Sequence, residues 1–212
     1  PAGRGGLRLH GEMKMKELIL ASASPRRREL LSLYTTEFTV CASDFDEDSV
    51  APCPPMQLVE ALARGKCLSV SAQHPGAVVI GCDTVVELDG RVFGKPHSTD
   101  EAVQMLRALS GRVHRVHTGV CVSDGSRTES FVDSCQVAFF PISEEEIARY
   151  AATEEPYDKA GAYGIQGHAA LWVDRIEGDY YTIMGLPVSR TVRLVAVSYT
   201  HLRAHETSAH LV

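Results

Sequence analysis

Arg26, Arg27 and Arg28 follow one another in the stretch LILASASPRRRELL, residues 18–31. The apolar run before them reads as a buried strand. Ser24 suits a helix N-cap and Pro25 the first helical position. A strand, a short loop of small residues and a helix start together make an anion site, because free N–H groups point outward and the helix dipole favours negative charge. Basic side chains are disfavoured at a bare helix start, so their crowding here is best relieved by a phosphate, whose oxygens an arginine fork matches in pairs. Side chains on a helix diverge by about 100° per residue. One or two of the three arginines can therefore face one ligand. The competing reading is a solvated basic first turn. No GxxxxGK(S/T) occurs anywhere, so this is not a Walker loop.

Four further residues could join such chemistry. Asp83 interrupts VVIGCDTVVEL, apolar on both sides, and a buried unpaired carboxylate costs several kcal/mol. It must cap a loop, pair with a cation or do chemistry. Lys66 falls on the apolar stripe of its own helix, seven residues after Val59; such a lysine ordinarily snorkels to solvent. Lys95, in FGKP, stands where a hairpin strand ends, and Glu47 sits in the acidic loop DFDEDS. Each alone reads as a plain surface charge. DKAGAYGIQG joins a charged pair to a glycine-rich turn whose glycines serve backbone bends. Together these residues offer arginine and lysines for a polyphosphate, and Asp and Glu for a divalent metal and a water.

The elements that must position them follow from periodicity. Strands are expected at ELILA, FTVCAS, AVVIGCDTVVEL, RVF, RVHRVHTGVCVS and TESFVDSCQVAFFPI, and LWVDRIEGDYYTIMG reads as a third hairpin. Helices are expected at PRRRELLSLY, from Pro55 to about Gln73 with Val59, Leu62, Ala63 and Val70 on one face, at STDEAVQMLRALSG, at SEEEIARYAAT and at PVSRTVRLVAV. Ser98 with Glu101 and Ser143 with Glu146 have capping-box spacing, and Gly111 suits a helix stop. Strands and helices interleave while hairpins recur, so the fold class is α/β with a mixed sheet.

The chain has 212 residues and a net charge of −6, which argues against a nucleic acid polymer as partner. No apolar run reaches membrane-spanning length. The six cysteines form no CxxC and several lie in strand-like runs, as buried reduced thiols of a cytoplasmic protein do. Residues 1–14 read as a non-native or disordered leader, 15–197 as one domain, and 198–212 as an artefactual tail, despite the metal-like spacing of His201, His205 and His210.

The segments LASASPRRRELL, GCDTVV, KP, LSGRVHRVHTGV and EPYDKAGAYGIQG resemble, in order and spacing, the Maf family of nucleoside triphosphate pyrophosphatases, from about Glu17 to Val197. The resemblance implies a Maf/ITPase-like fold, a twisted mixed sheet flanked by helices in two lobes with a central cleft. It also implies a homodimer and a divalent metal, Mg²⁺ or in its place Mn²⁺ or Co²⁺. It implies cleavage between the α and β phosphates of a nucleoside triphosphate. Asp83 falls on the family's proton acceptor. Ser22, Ser24, Arg26 and Arg27 fall in its phosphate-binding loop, Lys66 and Lys95 on its charge-neutralising lysines, and Glu47 on its acidic metal-side residue. Whether Asp83 takes the proton or joins Glu47 on the metal is left open.

Arg26, Thr84 and Gln166 stand at positions that separate the family's branches. SPRR, CDT and GIQG are similar to the dTTP/UTP branch; the 7-methyl-GTP branch has Trp after the proline and Glu in place of Gln166. A glutamine amide, with one acceptor and one donor, can pair the N3–H and carbonyl edge of uracil or thymine. The alternative for Gln166 is a turn residue bonding its own backbone. Two departures stand out. Gly65 beside Lys66 costs the helix about 1 kcal/mol relative to Ala, and His168 and Ala169 replace glycines usual after GIQG. A nucleotide-binding regulator of septum formation without catalysis is the reading from a different class.

Overall fold

The computed structural model of the chain describes residues 16–208, and side chains as far as Ser198. The expected leader at 1–14 and His210 lie outside what is described, as do the side chains of His201 and His205. The first strand, β1 (Leu18–Ala21), is apolar throughout and fully buried. Helix α1 (Pro25–Ser32) follows, then β2 (Thr39–Val40), a 3₁₀ turn at Glu47–Ser49 and helix α2 (Pro55–Gln73). Strands β3 (Val78–Leu88) and β4 (Arg91–Phe93) precede α3 (Thr99–Leu109). The hairpin of β5 (Val113–Ser123) and β6 (Thr128–Phe139) leads to α4 (Glu144–Ala151). Short 3₁₀ turns then carry the chain to β7 (Val173–Glu177), α5 (Tyr180–Met184) and α6 (Val188–Ser208).

These strands form one seven-stranded sheet in the order β2-β1-β3-β5-β6-β7, with β4 also beside β3. β1 runs parallel to β2 and β3, while β4, β5, β6 and β7 pair antiparallel with their neighbours, so the sheet is mixed as expected. The apolar core divides along β3. Val78, Ile80 and Cys82 pack with β1, α1 and Leu186. Val86 and Leu88 pack instead with α3, α4 and the aromatic group of Phe139, Tyr150, Tyr163 and Trp172. Each fully buried Leu, Ile or Val stabilises its half by roughly 1.5–3 kcal/mol. β3, β5 and β6 run through both halves, and Asp83 lies on β3 where one core ends and the other begins.

Register places a notch at that boundary. β1 ends beside Gly81, and β4 begins beside Val86. Among the described residues no strand covers the β3 edge from Cys82 to Val85 in between, so side chains from both sheet faces reach one opening. Helix α2 is drawn close to the sheet at Gly81, where a Cβ would lie 2.4 Å from the carbonyl oxygen of Ala63. Only glycine permits that approach.

Several expectations are corrected. FTVCAS pairs as a strand only at Thr39 and Val40, both exposed at the sheet edge. LWVDRIEGDYYTIMG is no hairpin. β7 ends at Glu177, Asp179 caps the Tyr181 amide at 3.0 Å, and Gly185 closes α5 in the left-handed region at φ 101°. Asp179 is instead the N-cap of a helix. The capping box at Ser143 and Glu146 is complete, whereas Glu101 turns its carboxylate to the His97 amide at 2.8 Å. Ser24 holds the N-cap position of α1, but its side chain makes no capping bond. α6 continues without a break past the boundary expected at 198. Cys67, Cys82, Cys121 and Cys135 are buried free thiols. Among the described residues no helix is long and apolar enough to cross a membrane.

Candidate active site

The notch opens into a cleft of about 870 Å³ between the two core halves. Asp83 enters it from the α2 side. Its Oδ1 accepts a 2.6 Å bond from Lys66 Nζ, which also lies 2.9 Å from Glu47 Oε1. The Lys66 and Asp83 side chains are only 14% and 11% exposed. Lys66 therefore does not snorkel; it is turned inward to a buried carboxylate, which explains how Asp83 is tolerated in an apolar strand. Gly65 explains how Glu47 arrives. A Cβ there would fall 2.3 Å from the Phe45 ring, so the bare helix surface seats Phe45 and brings the acidic loop onto α2. Ser43 and Ser69 tie the same loop at 2.7 Å. The propensity lost at Gly65 is offset by this seat.

Arg27 enters from the opposite face. Its Nε donates to the Gly185 carbonyl at 2.8 Å, Nη1 to the Cys82 carbonyl at 3.0 Å and to Ser22 Oγ at 3.2 Å, and Nη2 to Thr84 Oγ1 at 3.0 Å. Thr118 gives its hydroxyl proton to the Thr182 carbonyl at 2.8 Å, so the 2.9 Å contact between Thr84 and Thr118 is donated by Thr84. The guanidinium thus bonds residues on either side of Asp83 and joins α1, β3 and the end of α5. All its acceptors are uncharged.

Arg26, one residue earlier, faces the cleft mouth. Its Nη1 donates to Asp158 Oδ2 at 2.9 Å and its Nη2 to the Asp158 carbonyl at 3.4 Å. Lys159 Nζ donates to Asp158 Oδ1 at 2.5 Å and to the Glu155 carbonyl at 2.7 Å. Partial burial would raise the Asp158 carboxyl, yet bonds from Lys159 and Arg26 hold it below the usual carboxylate range. The first turn of α1 carries no acidic residue and no capping side chain, so its N–H groups are open to an anion. Ser24, Lys95 and Gln166 also line the cleft. Lys95 and Gln166 are exposed, and among the described residues neither side chain has a hydrogen-bond or ionic partner.

Gln166 sits on a turn closed by the Gly167 amide on the Gly164 carbonyl at 3.0 Å. The Glu155 carboxylate holds that turn, accepting bonds from Tyr150 Oη at 2.9 Å and from His168 Nδ1 at 3.0 Å. Burial opposes ionisation of Glu155, and the His168 and Tyr150 bonds outweigh it. Glu155, Asp158 and Lys159 were not singled out individually in the sequence. The one signal was a charged pair preceding the glycine-rich turn.

Among the described residues no group of three or more His, Cys, Asp or Glu side chains could hold a metal ion unaided. Glu47 and Asp83 nevertheless converge on one ammonium, which shows that the cleft stabilises a cation at that point. Two carboxylates completed by substrate phosphates is a donor set that suits Mg²⁺.

Residues 17–197 match the family described as Maf-like protein. The chain is 51% identical over 181 residues to a dTTP/UTP pyrophosphatase of Geobacillus sp. (strain WCH70), covering 85% of this chain and 97% of that one. It is 50% identical over 178 residues to a dTTP/UTP pyrophosphatase of Bacillus velezensis, covering 84% and 94%. Among solved structures, a nucleoside-triphosphatase (dITP/XTP pyrophosphatase) of Mycobacterium abscessus overlaps 59% of this chain and 75% of that one, with 12% identity and a TM-score of 0.40. No function follows from an overlap that partial.

Proposed function

This chain belongs to the Maf family, and from that premise we propose that it hydrolyses pyrimidine nucleoside triphosphates, namely dTTP, UTP and modified pyrimidine nucleotides, to the monophosphate and pyrophosphate. The observation that carries the reading is the buried Asp83 carboxylate, paired with Lys66 and bracketed by Arg27, at the floor of a cleft that Arg26 and Lys95 also line.

The chemistry follows from charge. Water attacks the α phosphorus, the bridging bond to the β phosphate breaks, and pyrophosphate leaves with added negative charge. Arg26, Lys95 and the open N–H groups of α1 bind the phosphate chain, and Lys66 neutralises charge beside Asp83; cations fixed in advance stabilise such a transition state. Asp83 activates the water as proton acceptor or joins Glu47 as metal ligand. Mg²⁺, or Mn²⁺ or Co²⁺ in its place, would be held by Glu47 and Asp83 with the phosphates, and when bound would neutralise phosphate oxygens. Ser22 and Arg27 shape the floor through their mutual bond, with Arg27 committed to uncharged acceptors. Thr84, bonded to Arg27 and Thr118, acts on base preference through the cleft wall. Gln166 reads the pyrimidine edge. We propose that the protein works as a homodimer in the cytoplasm on free nucleotides, with neither a nucleic acid polymer nor a membrane as partner.

The test incubates purified protein with Mg²⁺ and each of dTTP, UTP, CTP and 7-methyl-GTP and follows pyrophosphate. Release from dTTP and UTP is expected. Release from 7-methyl-GTP alone would transfer the chain to that branch. Single phosphate instead of pyrophosphate would overturn the cleavage site, and no release from any triphosphate would leave the binding-only regulator.

A further inference from the structure

The cations of the cleft keep different company, and one arrangement is unusual. Lys66 lies between Glu47 and Asp83, Arg27 is bonded to carbonyls and hydroxyls, and Lys95 is unengaged among the described residues. Arg26 and Lys159 share a single carboxylate, one oxygen each. Arg26 stands on α1, in the half of the molecule built on β1. Asp158 ends the 3₁₀ turn Glu155–Asp158 and Lys159 caps it, and their neighbours Tyr157 and Ala160 pack on the other core half. The Asp158 carboxylate therefore spans the cleft mouth, and all three groups line the cleft.

We propose that Asp158 is a built-in counter-anion, holding in the free protein the place that a substrate phosphate takes between Arg26 and Lys159. The assignment rests on the pyrophosphatase reading above. Two observations support it. Lys159 is only 17% exposed, so its ammonium needs an anion at all times, whereas Asp158 is 57% exposed and can swing to water. A carboxylate bridging two cations through separate oxygens also presents the same pattern as two oxygens of one phosphate. A triphosphate, with several charges, outcompetes a single carboxylate. Lys159 is on this view a further phosphate-binding residue, and Asp158 keeps the subsite assembled while it is free of substrate. The plain alternative is a surface ion pair with no effect on binding.

The experiment measures KM for UTP by pyrophosphate release, and Kd for inorganic tripolyphosphate by titration calorimetry, in Asp158→Asn, Lys159→Met and the double variant. Removing the competing carboxylate is expected to lower both constants about three- to tenfold, the scale of two partly exposed ion pairs. Lys159→Met is expected to raise both by about tenfold. In the double variant the gain from Asp158→Asn should largely vanish. Constants that are unchanged or higher in Asp158→Asn would overturn exchange, because a carboxylate that merely orients Arg26 and Lys159 would weaken binding when lost. A gain that persists in full without Lys159 would overturn the subsite. If the unaltered protein releases no pyrophosphate from any triphosphate, the functional reading fails, and the tripolyphosphate titration decides the subsite alone.

Discussion

Arg27 and Lys66 reach the same β3 notch from opposite faces of the sheet and are held in opposite ways. Arg27 has four bonds to uncharged oxygens and no carboxylate. Lys66 has two carboxylates and no carbonyl acceptor. An arginine keeps its proton at any ordinary pH, so once desolvated it must be fully satisfied, and neutral acceptors then tie it to the architecture. A lysine balanced between carboxylates forms a charge group that, on the proposed function, a polyanion and a metal would rearrange. One cation is held by neutral oxygens and the other by carboxylates, although both stand on helices that flank the same strand from opposite faces.

Variants should separate the two. The largest effect is expected for Asp83→Asn: kcat should fall by about 10²–10³-fold, measured well below a melting temperature that the loss of the buried Lys66 partner should also lower. Undiminished turnover would remove Asp83 from the mechanism and dissolve the contrast. His114 sharpens it next. Among the described residues this buried imidazole has one hydrogen-bond partner, the Tyr163 hydroxyl at 2.8 Å on Nε2, and none on Nδ1. Burial pushes it down to about 4 from the ordinary 6.5, so the folded protein holds it uncharged near neutral pH. The unfolded chain takes up that proton near 6.5 and the folded protein only near 4. Stability is therefore full above about pH 6.5 and should fall by up to roughly 3 kcal/mol on descending to pH 4. Denaturant titrations across that range should show the slope, and His114→Leu should flatten it.

Arg27→Lys should lower unfolding free energy by roughly 2–3 kcal/mol, since an ammonium cannot reach the Gly185, Cys82, Ser22 and Thr84 oxygens together. Stability retained with activity abolished would place Arg27 among the ligand-binding groups instead. Glu47→Gln should cost about tenfold in activity at limiting Mg²⁺ and recover at high Mg²⁺, as expected for a lost metal contact. The smallest change is expected for Thr84→Val, about 1 kcal/mol of stability from one severed link in the Arg27 chain, read by thermal melts.

Much of this was legible before any coordinates. The long apolar run AVVIGCDTVVEL and the segment RVHRVHTGVCVS announced long strands, and the oddity of an aspartate among valines pointed to Asp83. Lys66 was visible as a charge on an apolar stripe, although its local surroundings favoured snorkelling. Long-range pairing decided otherwise, and no helix-local rule contains Asp83. The Arg27 knot was hidden for the same reason: two of its four acceptors are backbone carbonyls, which every residue carries, and the other two are hydroxyls of Ser22 and Thr84. The segment 178–185 was misread because Gly-Asp starts hairpins and caps helices alike, and only the capped Tyr181 amide tells them apart. Asp158 and Lys159 read only as a charged pair before a glycine-rich turn, because Arg26, the cation that Asp158 meets, lies far away along the chain.

The continuity of β3, β5 and β6 through both cores has a mechanical consequence. The halves share a keel of hydrogen-bonded ladders, which resists gaping like a two-domain clamp. On the proposed function, entry of a nucleotide and escape of its products would then fall to the short segments at the rim, while the floor that carries Asp83 would stay put between turnovers.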